Sequence, residues 1–120
     1  MNTTPTEHAE AVLLVQYLEE LKSEGKVVLY SHVPQETFTK SWATKARNKQ
    51  EGVRKGVPDY IIVTQAELIF IELKRTKGSV TSPEQKEWIQ ALNKAGVFAF
   101  IAKGFEDAKL QLDTCLIECL

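Results

Sequence analysis

Thiols are scarce in this sequence: Cys115 and Cys119 are the only two. They fall four apart where a helix is expected, so their side chains project side by side, a poor geometry for a disulfide. No cluster of histidines accompanies them, which leaves them short of a structural zinc site. Both read as packed thiols in a reducing compartment, so a cytoplasmic location is expected. No apolar run approaches the ~18 residues that a membrane-spanning helix needs, and no membrane partner is expected. Met1 to Pro5 is polar, unlike a secretory signal. Low-complexity and disorder-promoting stretches are missing too. What is present is an ordinary apolar share of 43% over 120 residues, enough for one modest core, so a single domain over 1–120 is expected.

An excess of positive charge is also lacking, since the formal net charge is −1, and this argues against a general polyanion binder. The charge is unevenly placed, however. Nine Lys/Arg stand between Lys40 and Lys77 against four acids, a local +5 that leaves −6 for the rest of the chain. A basic middle with acidic flanks can attract phosphate locally, although a solvated charged face would look the same.

The pattern of apolar residues lays out the elements. Thr4-Pro5-Thr6-Glu7 reads as a helix start, with Thr4 as N-cap, Pro5 in the first turn and Glu7 closing a capping box. Ala11, Leu14, Leu18 and Leu21 continue it as one stripe, ending near Gly25. Residues 26 to 33 are β-branched and aromatic and stop at Pro34, a strand. A polar, basic stretch follows, helical around Thr39 to Gln50. Val57 to Thr64 and Glu67 to Leu73 read as two strands joined by Gln65-Ala66, a hairpin without the usual glycine or asparagine. Ser82 or Thr81 caps a helix with Pro83 at or near its first position, running to Ala95 before Gly96. Val97 to Ala102 is an apolar run expected to be buried on both faces, and a last helix covers Glu106 to Glu118 with Leu112 and Leu116 inward. This order implies an α/β fold with a mixed four-stranded sheet flanked by helices.

Two short stretches carry chemistry: Gly56-Val-Pro-Asp59 entering one strand and Ile71-Glu-Leu-Lys74 closing the next. Glu72 and Lys74 are two apart and share one face of a strand that is otherwise apolar. If the strands pair as a hairpin, Asp59 comes beside Glu72, giving a two-carboxylate site suited to a hard cation, Mg²⁺ or Mn²⁺. Such an ion neutralises phosphate oxygens and acidifies water, while Lys74 holds the attacking water and steadies the developing charge. The bland alternative is a structural Glu72–Lys74 pair with Asp59 as a turn residue; the full Pro-Asp…Glu-x-Lys spacing favours catalysis.

The arrangement resembles the PD-(D/E)xK nuclease superfamily with its restriction-endonuclease-like core in αβββαβ order, and within it the VRR-NUC domain. Val53-Arg-Lys-Gly-Val-Pro-Asp59 resembles that family's basic-Gly-Val-Pro-Asp segment, with its signature basic pair present as Arg54-Lys55. Phe70-Ile-Glu-Leu-Lys-Arg75 resembles its metal and lysine motif, and Ser82-Pro-Glu-Gln-Lys-Glu-Trp88 its following helix. The resemblance implies that Asp59, Glu72 and the Leu73 carbonyl bind metal and that Lys74 and Gln85 complete the site. It also implies a glutamate from the first helix, for which Glu7 and Glu10 are both open. Stand-alone copies of this size are familiar in phages and prophages, so the implied setting is a bacterial or phage-infected cell. The implied activity is a structure-specific endonuclease on branched DNA, such as a Holliday junction, working as a homodimer.

Lys45, Arg47, Lys49, Arg54, Lys55, Arg75 and Lys77 are the expected DNA contacts. Trp42, among the basic residues, is open between core packing and contact with unpaired bases. Trp88 is expected in the core in preference to a base-stacking platform, and His8 and His32 at the surface or as satisfied core residues. Ile117 and Leu120 are weak candidates for a dimer interface. Two other readings stay open: a catalytically silent DNA-binding or scaffold module, and a nuclease acting on flaps, single strands or RNA.

Overall fold

The computed structural model describes residues 4–33 and 41–118. Thr39, Lys40, Cys119 and Leu120 therefore lie outside the described residues. The chain runs α1 (Glu7–Ser23), β1 (Leu29–His32), α2 (Trp42–Gln50), β2 (Tyr60–Val63), β3 (Leu68–Lys74), α3 (Pro83–Lys94), β4 (Phe98–Lys103) and α4 (Phe105–Glu118). The sheet order is β1-β2-β3-β4. β1, β2 and β3 are antiparallel neighbours, and β4 runs parallel to β3 after the α3 crossover. This is the expected mixed four-stranded sheet flanked by helices.

Strand alternation divides the sheet into two faces. Ile69, Ile71 and Leu73 of β3, with Tyr60 and Ile62 of β2, are buried in one core cluster with Leu14, Leu18 and Leu21 of α1 and Leu112 of α4. Each such side chain contributes roughly 1.5–3 kcal/mol on burial, and this packing fixes the strand register. The opposite parity of β3 puts Phe70, Glu72 and Lys74 on the other face, towards α3.

Several boundaries differ from those expected. Thr6, not Thr4, caps α1, its side chain accepting from the Ala9 N–H at 3.0 Å. Glu7 is then the first helical residue and does not close a capping box. The β2–β3 turn needs no glycine because Thr64 closes it. The Thr64 hydroxyl oxygen accepts from the N–H groups of Ala66 and Glu67, and its backbone N–H donates to the Glu67 carbonyl at 2.9 Å. β4 is an edge strand and only half-buried at Phe98, Phe100 and Ile101, with α3 and α4 against it. α2 has no buried residue, and Trp42 at its start is 82% exposed, which excludes core packing for that indole. Cys115 is buried in the core cluster. Among the described residues no helix is long and apolar enough to cross a membrane.

Candidate active site

Asp59 sits one residue before β2 and Glu72 two residues before the end of β3. Tyr60 pairs with Ile71, so continuing the antiparallel register sets the two carboxylates side by side. Both are buried, Asp59 at 6% and Glu72 at 3% exposure. The Leu73 backbone N–H donates to Asp59 Oδ2 at 2.9 Å, fixing that carboxylate to β3. Glu72 Oε2 accepts from Gln85 Nε2 at 3.1 Å and faces Lys74 Nζ at 3.7 Å. Glu72 Oε1 is buried without a hydrogen-bond partner.

Gln85 is held from both ends. Ser82 caps α3 by accepting from the Gln85 N–H at 3.1 Å, and Gln85 Oε1 accepts in return from the Ser82 N–H at 2.9 Å. This capping box, with Pro83 behind the cap, aims the remaining amide group at Glu72. Gly56 provides the close approach that brings the Pro-Asp loop here. Its φ is +85°, and a Cβ would lie 2.6 Å from the Glu84 carbonyl carbon and 2.7 Å from the Gln85 nitrogen.

The electrostatics follow from burying two like charges together. Loss of water, then the negative charge of Asp59, pushes the Glu72 carboxyl up from 4.5 to about 8 against the opposing pull of Lys74. Loss of water also raises Asp59, opposed by the Leu73 N–H, by a hydrogen bond shared with the Glu72 carboxyl and by the charges of His32 and Lys74.

The structure separates the two first-helix glutamates. Glu10 is buried, and its Oε2 accepts from the Phe105 N–H at the start of α4, close to Gly104. Glu7 is exposed and lines a cleft of about 570 Å³ with His32, Asp59, Tyr60 and Leu73. Its charge also reaches Glu72.

The basic residues do not form one patch. Lys45, Lys49, Arg54 and Lys55 line a groove between α2 and α3, whereas Arg47 on α2 is exposed outside it. Arg75 and Lys77 are exposed beyond β3, where Arg75 Nε donates to the Pro5 carbonyl at 3.4 Å. Trp88, expected in the core, is half-buried and lines the same groove as the four cations. His32 joins the site without any motif to announce it. It pairs with Tyr60, its ring 5.2 Å from the tyrosine ring, and so stands next to Asp59. Only the strand register carries that information.

A family model described as the VRR-NUC domain matches residues 6–106, spanning α1 through the start of α4 and every residue of this cluster. The chain belongs to the VRR-NUC domain family. A solved structure described as a VRR_NUC domain protein is similar to it, with a TM-score of 0.73 and 25% identity over 98% of this chain and 93% of that one. No curated protein matches the chain. The family makes this a nuclease-type domain on a PD-(D/E)xK-like fold.

The donor set of this VRR-NUC domain fits a hard divalent cation. Asp59 and Glu72 supply oxygens from two adjacent buried carboxyl groups, and no N–H or O–H donor of the described residues reaches Glu72 Oε1. Among the described residues no group of three His, Cys, Asp or Glu converges. Two adjacent carboxyl groups suit an ion that keeps several of its waters, as Mg²⁺ does.

Proposed function

We propose that this VRR-NUC domain is a divalent-metal-dependent endonuclease that hydrolyses phosphodiester bonds in branched DNA, including Holliday junctions. The observation that carries the reading is the buried Asp59–Glu72 carboxyl pair with Lys74 beside Glu72. A sheet gains no stability from two adjacent buried carboxylates; a cation between them removes the cost.

In this reading Asp59, Glu72 and the Leu73 carbonyl hold Mg²⁺ or Mn²⁺. When bound, the ion supplies charge neutralisation at the phosphate and an acidified water. Lys74 holds the attacking water and stabilises the charge that grows on the phosphate oxygens. Gln85 keeps Glu72 turned towards the site. Glu7, on the cleft beside Asp59, is the first-helix carboxylate assigned to the reaction, and Glu10 a structural one. Lys45, Arg47, Lys49, Arg54, Lys55, Arg75 and Lys77 hold the DNA backbone.

A four-way junction needs two opposed strands cut, so the reading includes a C₂ homodimer. Leu110 and Ile117, 67% and 70% exposed on α4, are available to an interface that must bury at least ~1,000 Å². The test is cleavage of labelled junction, flap, duplex, single-stranded DNA and RNA substrates with and without Mg²⁺ or Mn²⁺, alongside sedimentation equilibrium. Metal-dependent paired incision of the junction by a dimer is expected. Asp59→Asn and Glu72→Gln are expected to abolish cleavage and leave DNA binding in chelator equal or tighter. Cleavage by both variants would overturn the metal assignment.

A further inference from the structure

The groove between α2 and α3 is divided by chemistry. Lys45 and Lys49 of α2, with Arg54 and Lys55 of the loop that leads to Gly56, form a cationic wall. The α3 side presents the half-buried Trp88 indole flanked by Glu84 and Glu87. The groove measures about 540 Å³.

A groove that only tracked phosphates would gain nothing from two carboxylates along it, because they repel the backbone. An indole between carboxylates is instead matched to a nucleobase. The ring stacks on the π-face, and the carboxylates accept from exocyclic amino groups on the base edge. The opposite wall then meets that nucleotide's phosphate. We propose that this groove is a nucleotide pocket: one unpaired base of the DNA lies on Trp88, its edge towards Glu84 and Glu87, its phosphate on the α2 and 54–55 cations.

The pocket is mechanically joined to the active site. Gln85 and Trp88 are three apart on α3, and Gly56 packs against the backbone of Glu84 and Gln85. A base seated on Trp88 therefore loads the same helical turn that orients Glu72. The inference rests on the DNA-nuclease reading above and deepens it, making an unpaired nucleotide near the cut the feature recognised in branched DNA.

Trp42→Phe leaves Trp88 as the sole tryptophan. Titrating that chain in chelator with the oligonucleotides dC12 and dT12 reads the pocket without any cleavage. Trp88 emission is expected to be quenched on binding, with dC12, which carries an amino group, bound more tightly than dT12. Trp88→Leu is expected to weaken dC12 binding by about 5- to 150-fold, the worth of one base–aromatic stack, and Trp88→Phe to retain most of it. A thermal melt of each variant separates lost binding from lost fold, and the Trp88 emission titration, which needs no substitution at Trp88, carries the test if Trp88→Leu unfolds. Unchanged Trp88 emission, or wild-type dC12 affinity in a folded Trp88→Leu chain, would overturn the pocket. Metal-dependent junction cleavage surviving that result would leave the nuclease reading standing. Trp88 quenching by DNA in a chain that cleaves nothing would do the reverse.

Discussion

Gln85 Nε2 donates to Glu72 Oε2 at 3.1 Å while the same amide's oxygen is held by the Ser82 N–H. A helix cap thus does two jobs: it satisfies orphan donors at the start of α3 and sets the angle of a buried carboxylate. Ser82→Ala is expected to cost about 1 kcal/mol of stability through the lost cap. It is also expected to lower the single-turnover rate through a freed Gln85, although Ser82 touches no reacting atom. Gln85→Ala is expected to lower the rate further, and the double variant no further than Gln85→Ala. Additive losses in this cycle would show that the two residues act separately.

The hairpin and its carboxylates are legible in the amino-acid pattern because a period of two is hard to disguise. Ile69, Ile71 and Leu73 claim one face of β3, so Glu72 and Lys74 have only the other. Asp59 then follows from the shortness of the Thr64–Glu67 connection. Legibility fails where two residues of equal chemistry compete. Thr4 and Thr6 are both adequate caps by residue type, and the helix uses Thr6. Glu7 and Glu10 both fit an inward acid, and the α4 N-terminus, distant in sequence, takes Glu10. Trp42 and Trp88 are apolar enough for a core, yet α2 presents no face to the sheet and Trp88 lies at a groove. Those outcomes depend on how helices dock, which no local pattern encodes.

The raised Glu72 carboxyl makes stability depend on pH in a defined direction. Its folded value, about 8, lies above its ordinary 4.5, so the folded chain binds more proton than the unfolded chain between those values. Metal-free stability is therefore expected to fall as pH rises from about 4.5 to about 8. Thermal melts in chelator across that window check it, and Glu72→Gln is expected to flatten the slope. Mg²⁺ is expected to offset the fall at the alkaline end, because cation and proton compete for the same oxygens. A steeper melt dependence in Glu72→Gln than in the parent would assign the titration elsewhere.

Glu7 and Glu10 offer a contrast within a single helical turn. Glu10→Gln weakens a buried, charge-assisted bond to the Phe105 N–H and is expected to lose about 1–3 kcal/mol of stability. Its cleavage rate well below the melting temperature is expected to stay near that of the parent. Glu7→Gln, at an exposed position on the Asp59 cleft, is expected to keep its stability and lose rate. The paired melts and single-turnover rates decide between them, and the reverse pattern would move the catalytic assignment to Glu10.

Gly56→Ala is the substitution expected to damage the site from furthest outside it. Two separate penalties apply at this residue. A side chain at φ +85° costs about 1–3 kcal/mol in backbone strain. A Cβ 2.6 Å from the Glu84 carbonyl carbon must also push backbone, not a flexible side-chain tip, which costs about 1–3 kcal/mol more. The displaced element is the first turn of α3, whose Gln85 is bonded to Glu72, so the geometry of the carboxylate pair shifts with it. Gly52 has nearly the same φ, +84°, but nothing within 4 Å of its Cβ position. Gly52→Ala therefore incurs the strain without the clash and serves as the control. Both variants are expected to melt earlier than the parent, Gly56→Ala by the larger margin. Only Gly56→Ala is expected to lose cleavage rate, measured at a temperature where both remain folded. Equal losses of rate in the two variants would mean that the loop acts through its flexibility and not through its contact with α3.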